Sequence, residues 1–76
     1  MGWKTYLVMY FGSNGIKMTD IVKKVEALGF EAALGPVDFE YSWKAVPRKE
    51  DVFELGNKLV ETLKGTGVMF NLDTHD

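Results

Sequence analysis

The order of the apolar segments is the feature of this sequence that most constrains its fold. Residues 5–11 are rich in strand-forming side chains and are apolar on both alternating faces, which is typical of a central strand. After a break at 12–15, apolar residues recur at helical spacing from Met18 to Leu28, and Gly29 follows as a helix-ending residue. The first part of the chain therefore predicts a strand followed by a helix.

The rest of the chain predicts a hairpin, a second helix and a last strand. Residues 30–34 and 37–43 are strand-like and are separated by a Gly-Pro turn. Pro47 suits the start of a helix, and Gly65 suits its end. The apolar stripe of this helix consists of Val52, Leu55, Leu59 and Leu63. Residues 68–73 alternate between apolar and polar, and a polar tail is expected after them.

The resulting βαββαβ order is that of a ferredoxin-like α+β sandwich. In this arrangement a four-stranded antiparallel sheet has two helices on one face, with the first and third strands at its centre. A chain of 76 residues without cysteine has room for a single domain, 1–76, and one core without disulfides. A domain of this size buries only roughly 60% of the surface of its unfolded chain, so self-association would add stability.

Period-two alternation assigns each strand residue to one face of the sheet. We expect Leu7, Met9 and Phe11 of the first strand to face the helices. The later strands add Val37, Phe39, Tyr41, Trp43, Val68, Phe70 and Leu72 to that face. The opposite, open face then carries Tyr6, Val8, Tyr10, Asp38, Glu40, Ser42, Met69, Asn71 and Asp73. A solvated face, a protein interface, a cation site and paired carboxylates for acid-base chemistry are all compatible with this set, and its apolar members favour an interface.

The loop after the first strand is a candidate anion site. It comprises Gly12, Ser13, Asn14, Gly15 and, after Ile16, Lys17. Backbone N–H groups and a helix N-terminus can hold a phosphate or carboxylate there, although a plain turn has the same composition. The spacing matches neither a Walker loop nor a dinucleotide fingerprint.

Acylphosphatases are similar in strand order and in having a glycine-containing anion cradle at this place in the chain. The resemblance would imply a small hydrolase acting through the loop. This loop contains no arginine, however, and Asn71 lies on the last strand, whereas the asparagine of that family lies on a hairpin strand. No catalytic residue is therefore transferred to this chain.

Charge and composition narrow the classes of function. The formal net charge is −2 and no dense basic cluster occurs, which argues against nucleic-acid binding and against an RNA-binding sheet platform. The apolar runs are too short for a membrane span, and the start of the sequence lacks the apolar region of a signal peptide, so we expect a cytoplasmic protein. No cofactor or metal site is indicated, since the single histidine, His75, lies in the predicted tail.

The sequence favours a noncatalytic binding module over an enzyme. We expect association through the open face, with a second copy as a homodimer or with another protein. The alternative is a small-anion binding protein or an acylphosphatase-like hydrolase that uses the loop after the first strand.

Overall fold

The computed structural model describes residues 2–11 and 17–76 and confirms the predicted order of elements. The elements are β1 (Lys4–Tyr10), α1 (Met18–Glu26), β2 (Glu31–Ala32), β3 (Phe39–Ser42), α2 (Lys49–Thr62) and β4 (Met69–His75). The strands form one sheet of order β2-β3-β1-β4, and every neighbouring pair is antiparallel. This is the ferredoxin-like arrangement, with β1 and β3 at the centre. Among the described residues, no helix has the length and apolar character needed to cross a membrane.

The core lies between the helices and one face of the sheet, which we call the covered face. Leu7 of β1, Val25 of α1 and Leu59 of α2 are completely buried. The other buried apolar residues are Met9, Ile21, Phe30, Phe39, Leu55 and Leu63. Burying one such side chain contributes about 1.5–3 kcal/mol, so this cluster is the main source of stability.

Thr5 links the covered face to the end of the sheet through hydrogen bonds. Its side chain is completely buried, and its Oγ1 accepts a 2.8 Å hydrogen bond from Nε1 of Trp43. The same oxygen lies 2.7 Å from Oγ1 of Thr74. A buried indole N–H needs such a partner, because an unpaired donor costs the full free energy of its desolvation. The sequence prediction placed Trp43 on this face but missed the role of Thr5.

Val37, which was expected to face the helices, lies elsewhere, and Phe11 is more exposed than expected. Val37 precedes β3 and lines a groove on the open side of the sheet, because the regular ladder between β1 and β3 ends at the pair Leu7 and Phe39. Beyond it, the backbone N–H of Met9 donates to the side-chain Oδ2 of Asp38 at 2.8 Å. The alternation of side chains between the two faces therefore ends here, because the Asp38 side chain takes the place of a backbone carbonyl as the acceptor for Met9. Phe11 follows the end of β1 and is 38% exposed.

The apolar stripe predicted for the first helix is also shorter than expected. Ile21 and Val25 are buried, but Met18 begins α1 and is mostly exposed. Met18 is the first residue of α1 and precedes both buried positions.

Candidate functional site: the open sheet face

The open face is formed by every second residue of the two long strands. β1 contributes Lys4, Tyr6, Val8 and Tyr10, because Thr5, Leu7 and Met9 are buried on the covered face. β4 contributes Met69, Asn71, Asp73 and His75, and their neighbours Phe70, Leu72 and Thr74 face the other way. Glu40 of β3 lies directly opposite Tyr6, so it shares this face. The structure thus brings most of the predicted interface residues onto one surface.

A groove of about 600 Å³ crosses this surface. One wall is the loop between β2 and β3, and the other is β4, with Tyr6 and Val8 between them. Leu34, at the loop, is 99% exposed. The complete lining is Tyr6, Val8, Ala32, Ala33, Leu34, Pro36, Val37, Glu40, Asn71, Leu72, Asp73 and His75. The groove therefore combines an apolar wall at the loop with polar groups along β4, and such a combination is typical of binding sites.

The middle of the open face is acidic. Glu40 and Asp73 flank Tyr6 as its direct neighbours on β3 and β4. Glu31 of β2 lies opposite Glu40, so two carboxylates occupy directly paired positions. Like charges in such positions destabilise a sheet. Lys4 offsets part of this repulsion, since its Nζ lies 3.3 Å from Oε1 of Glu40.

His75 was expected in a polar tail, but β4 continues to this residue and places it at the site. Its ring stacks on Tyr6 with a centroid distance of 4.7 Å and an interplanar angle of 25°. Its Nε2 lies 3.6 Å from Oδ2 of Asp73. The expectation of a tail was wrong because the period-two pattern of β4 extends through Thr74 to His75. In the sequence, the alternation from Met69 to His75 was the signal that could have predicted this longer strand.

The open face is apolar at its other end. Tyr10 and Met69 are direct cross-strand partners and are 55% and 72% exposed. Val8, the next open-face residue on β1, faces Asn71 of β4. Along the strands, the open face therefore changes from an acidic patch in its middle to an apolar patch at this end.

Asp38 has a structural role that its predicted position on the open face did not suggest. Its backbone N–H donates to the carbonyl of Leu7 at 3.0 Å, in addition to the bond between its carboxylate and the N–H of Met9. A carboxylate that accepts a backbone N–H stabilises the end of the β1–β3 ladder. This bond occupies one of its oxygens.

The predicted anion loop is described only at Lys17. This residue is exposed and precedes α1, and its carbonyl accepts hydrogen bonds from the backbone N–H groups of Asp20 and Ile21. Gly12, Ser13, Asn14 and Gly15 lie outside the described residues, so the anion site stays a prediction.

Within the described residues, no group of three or more His, Asp or Glu side chains is arranged to hold a metal ion. Comparison with known proteins adds no functional information, since no family model, curated protein or solved structure matches the chain.

Proposed function

We propose that this chain is a noncatalytic protein-interaction module whose open face binds a segment of another protein that carries apolar and basic side chains. The observation that supports this function best is the groove, which has an apolar loop wall on one side and the carboxylates of Glu40 and Asp73 in its lining. The apolar part of the partner lies along Val8 and the loop, and its basic side chain lies near Asp73.

Charge favours a basic partner over a second copy at this face. Among the described residues of this face, the carboxylates of Glu31, Glu40 and Asp73 outnumber the one lysine, Lys4. A second copy packed face to face would bring another set of the same carboxylates to the surface. A lysine or arginine side chain instead reduces the repulsion between paired carboxylates and donates a charge-assisted hydrogen bond to exposed Asp73.

The test is calorimetric titration with the synthetic peptide acetyl-Leu-Leu-Arg-Arg-amide. We expect saturable binding by the natural chain, weaker binding by Asp73→Asn, and unchanged binding by Glu61→Gln, which removes the same charge from the exposed side of α2. A peptide with citrulline in place of both arginines should bind more weakly, since it keeps the shape and loses the charge. Equal affinity of Asp73→Asn and Glu61→Gln would contradict the proposal, as would an absence of binding to the natural chain.

A further inference from the structure

We propose that β4 pairs antiparallel with β4 of a second copy, joining two four-stranded sheets into one continuous sheet. This interface uses the edge of the sheet and does not depend on the function proposed for its open face.

The outer edge of β4 has few of the features that normally protect an edge strand, since Asp73 is the only acidic residue in it. β4 is the last strand of the sheet, and its seven residues pair only with β1 among the described elements. It contains neither proline nor lysine, and its pairing with β1 is regular from Lys4 and His75 to Tyr10 and Met69. Long, regular and unprotected edges are templates for pairing with another strand.

The hydrogen-bond pattern of β1 shows which groups of β4 point outward. The N–H of Trp43 donates to the carbonyl of Trp3, and the carbonyl of Leu7 and the N–H of Met9 also bond on the β3 side. Antiparallel ladders alternate, so the even-numbered residues of β1 direct their backbone groups towards β4. Their partners on β4 are Met69, Asn71, Asp73 and His75. The backbone groups of Phe70, Leu72 and Thr74 therefore point away from the sheet.

A two-fold axis beside Leu72, relating the two copies, brings the outward backbone groups of one β4 within hydrogen-bonding reach of those of the other. Leu72 then exchanges two hydrogen bonds with the partner's Leu72, and Phe70 and Thr74 each exchange two with the opposite residue of the second copy. All seven residues of β4 are paired in this register. The symmetry is closed, because each copy uses the same strand and the same groups.

Side chains are compatible with the same register. On the open face, Asn71 lies opposite the partner's Asp73, where an amide can donate to a carboxylate. On the covered face, Leu72 meets the partner's Leu72, and both are only half-buried in the single chain. A shift of the axis to Asp73 would place two carboxylates directly opposite each other, so charge selects against that register.

The other edge of the sheet explains why pairing stops at two copies. β2 has only two residues, Glu31 and Ala32, and Pro36 follows in the next loop. A short edge next to proline offers few backbone groups for a further strand.

The test is sedimentation equilibrium over a range of protein concentrations. The natural chain should approach twice its mass of 8.6 kDa as concentration rises. Asn71→Asp places two carboxylates opposite each other at two symmetric positions, and we expect it to raise the dimer dissociation constant about tenfold. Asn57→Asp adds the same charge on the exposed side of α2 and should leave the constant unchanged.

The exchanged variant Asn71→Asp with Asp73→Asn provides the decisive control. It has the net charge of the natural chain and restores an amide opposite a carboxylate, so dimerisation should return. A natural chain that stays monomeric at every concentration would overturn the proposal. Equal effects of Asn71→Asp and Asn57→Asp, or failure of the exchanged variant to recover, would do the same.

Discussion

The two faces of the sheet are built from the same strands but differ in burial. On β1, Leu7 is completely buried and its neighbour Val8 lines the groove. On β4, Phe70 packs against the core, and its neighbour Met69 is 72% exposed. Stability therefore comes from one set of alternate residues, which leaves the other set available to bind a partner.

The largest expected difference between the faces is between two adjacent residues of β1. Leu7→Ala removes a side chain from the centre of the core, so we expect the free energy of unfolding to fall by about 2–5 kcal/mol. Val8→Ala removes a partly exposed side chain and should cost less than about 1 kcal/mol. Urea denaturation of the two variants measures both values. Equal losses would show that the open face contributes to stability as much as the core does.

The hydrogen bonds of Thr5 give the next largest effect. Thr5→Val keeps the shape of the side chain but leaves the N–H of Trp43 without its acceptor, which should cost about 1–3 kcal/mol. A double variant that also carries Trp43→Phe has no unpaired donor. Its loss of unfolding free energy should therefore be smaller than the sum of the losses in the two single variants. Strict additivity in urea denaturation would show that the bond between the two residues contributes nothing to stability.

Replacing either of two glycines on the covered side with alanine should change the stability of the fold, and the two changes should have opposite signs. Gly29 has φ of 105°, and a Cβ there would lie 3.0 Å from Cε2 of Tyr41, so Gly29→Ala should destabilise the fold by about 1 kcal/mol or more. Gly56 is inside α2, and a Cβ there would lie 3.7 Å from Cδ1 of Leu72, an ordinary contact. Gly56→Ala should therefore stabilise the fold by up to about 1 kcal/mol. Thermal unfolding of the two variants checks both signs.

The smallest effect concerns the start of α2, on the far side of the molecule from the open face. The hydrogen bond from the backbone N–H of Arg48, 2.9 Å from Oδ2 of Asp51, lowers the pKa of that carboxyl below its ordinary value of 3.8, and the nearby Arg48 guanidinium adds to the shift. A lowered pKa in the folded state stabilises the fold above the ordinary value. This stabilisation is lost as the pH falls through the lowered pKa.

Asp51→Asn tests this pH dependence because it removes the titrating charge. The urea midpoint of the natural chain should exceed that of the variant at pH 6, and the difference should shrink as the pH falls below about 4. A difference that is constant over this range would contradict a lowered pKa for Asp51.

The order of the elements and most face assignments could be predicted from the sequence, because hydrophobic periodicity directly reflects burial. The groove could not, since its loop wall depends on the path of residues 33–38 and not on a period. The face of Val37 could not be predicted from alternation, because the hydrogen bond from Met9 to the Asp38 carboxylate interrupts the ladder next to it. The position of His75 in β4 was missed for a different reason. A single polar residue after the alternating segment is a weak strand signal, and its pairing with Lys4 of β1 is seen only in the structure.

Amide NMR shift mapping can show whether a partner binds at the open face. Acetyl-Leu-Leu-Arg-Arg-amide is titrated into the ¹⁵N-labelled chain and the perturbed amides are located on the structure. We predict that the largest shifts occur at Tyr6, Val8, Ala33, Asn71 and Asp73, around the groove. Shifts centred on the acidic residues of α2, Asp51 and Glu54, would contradict the account and place the binding surface on the helical side.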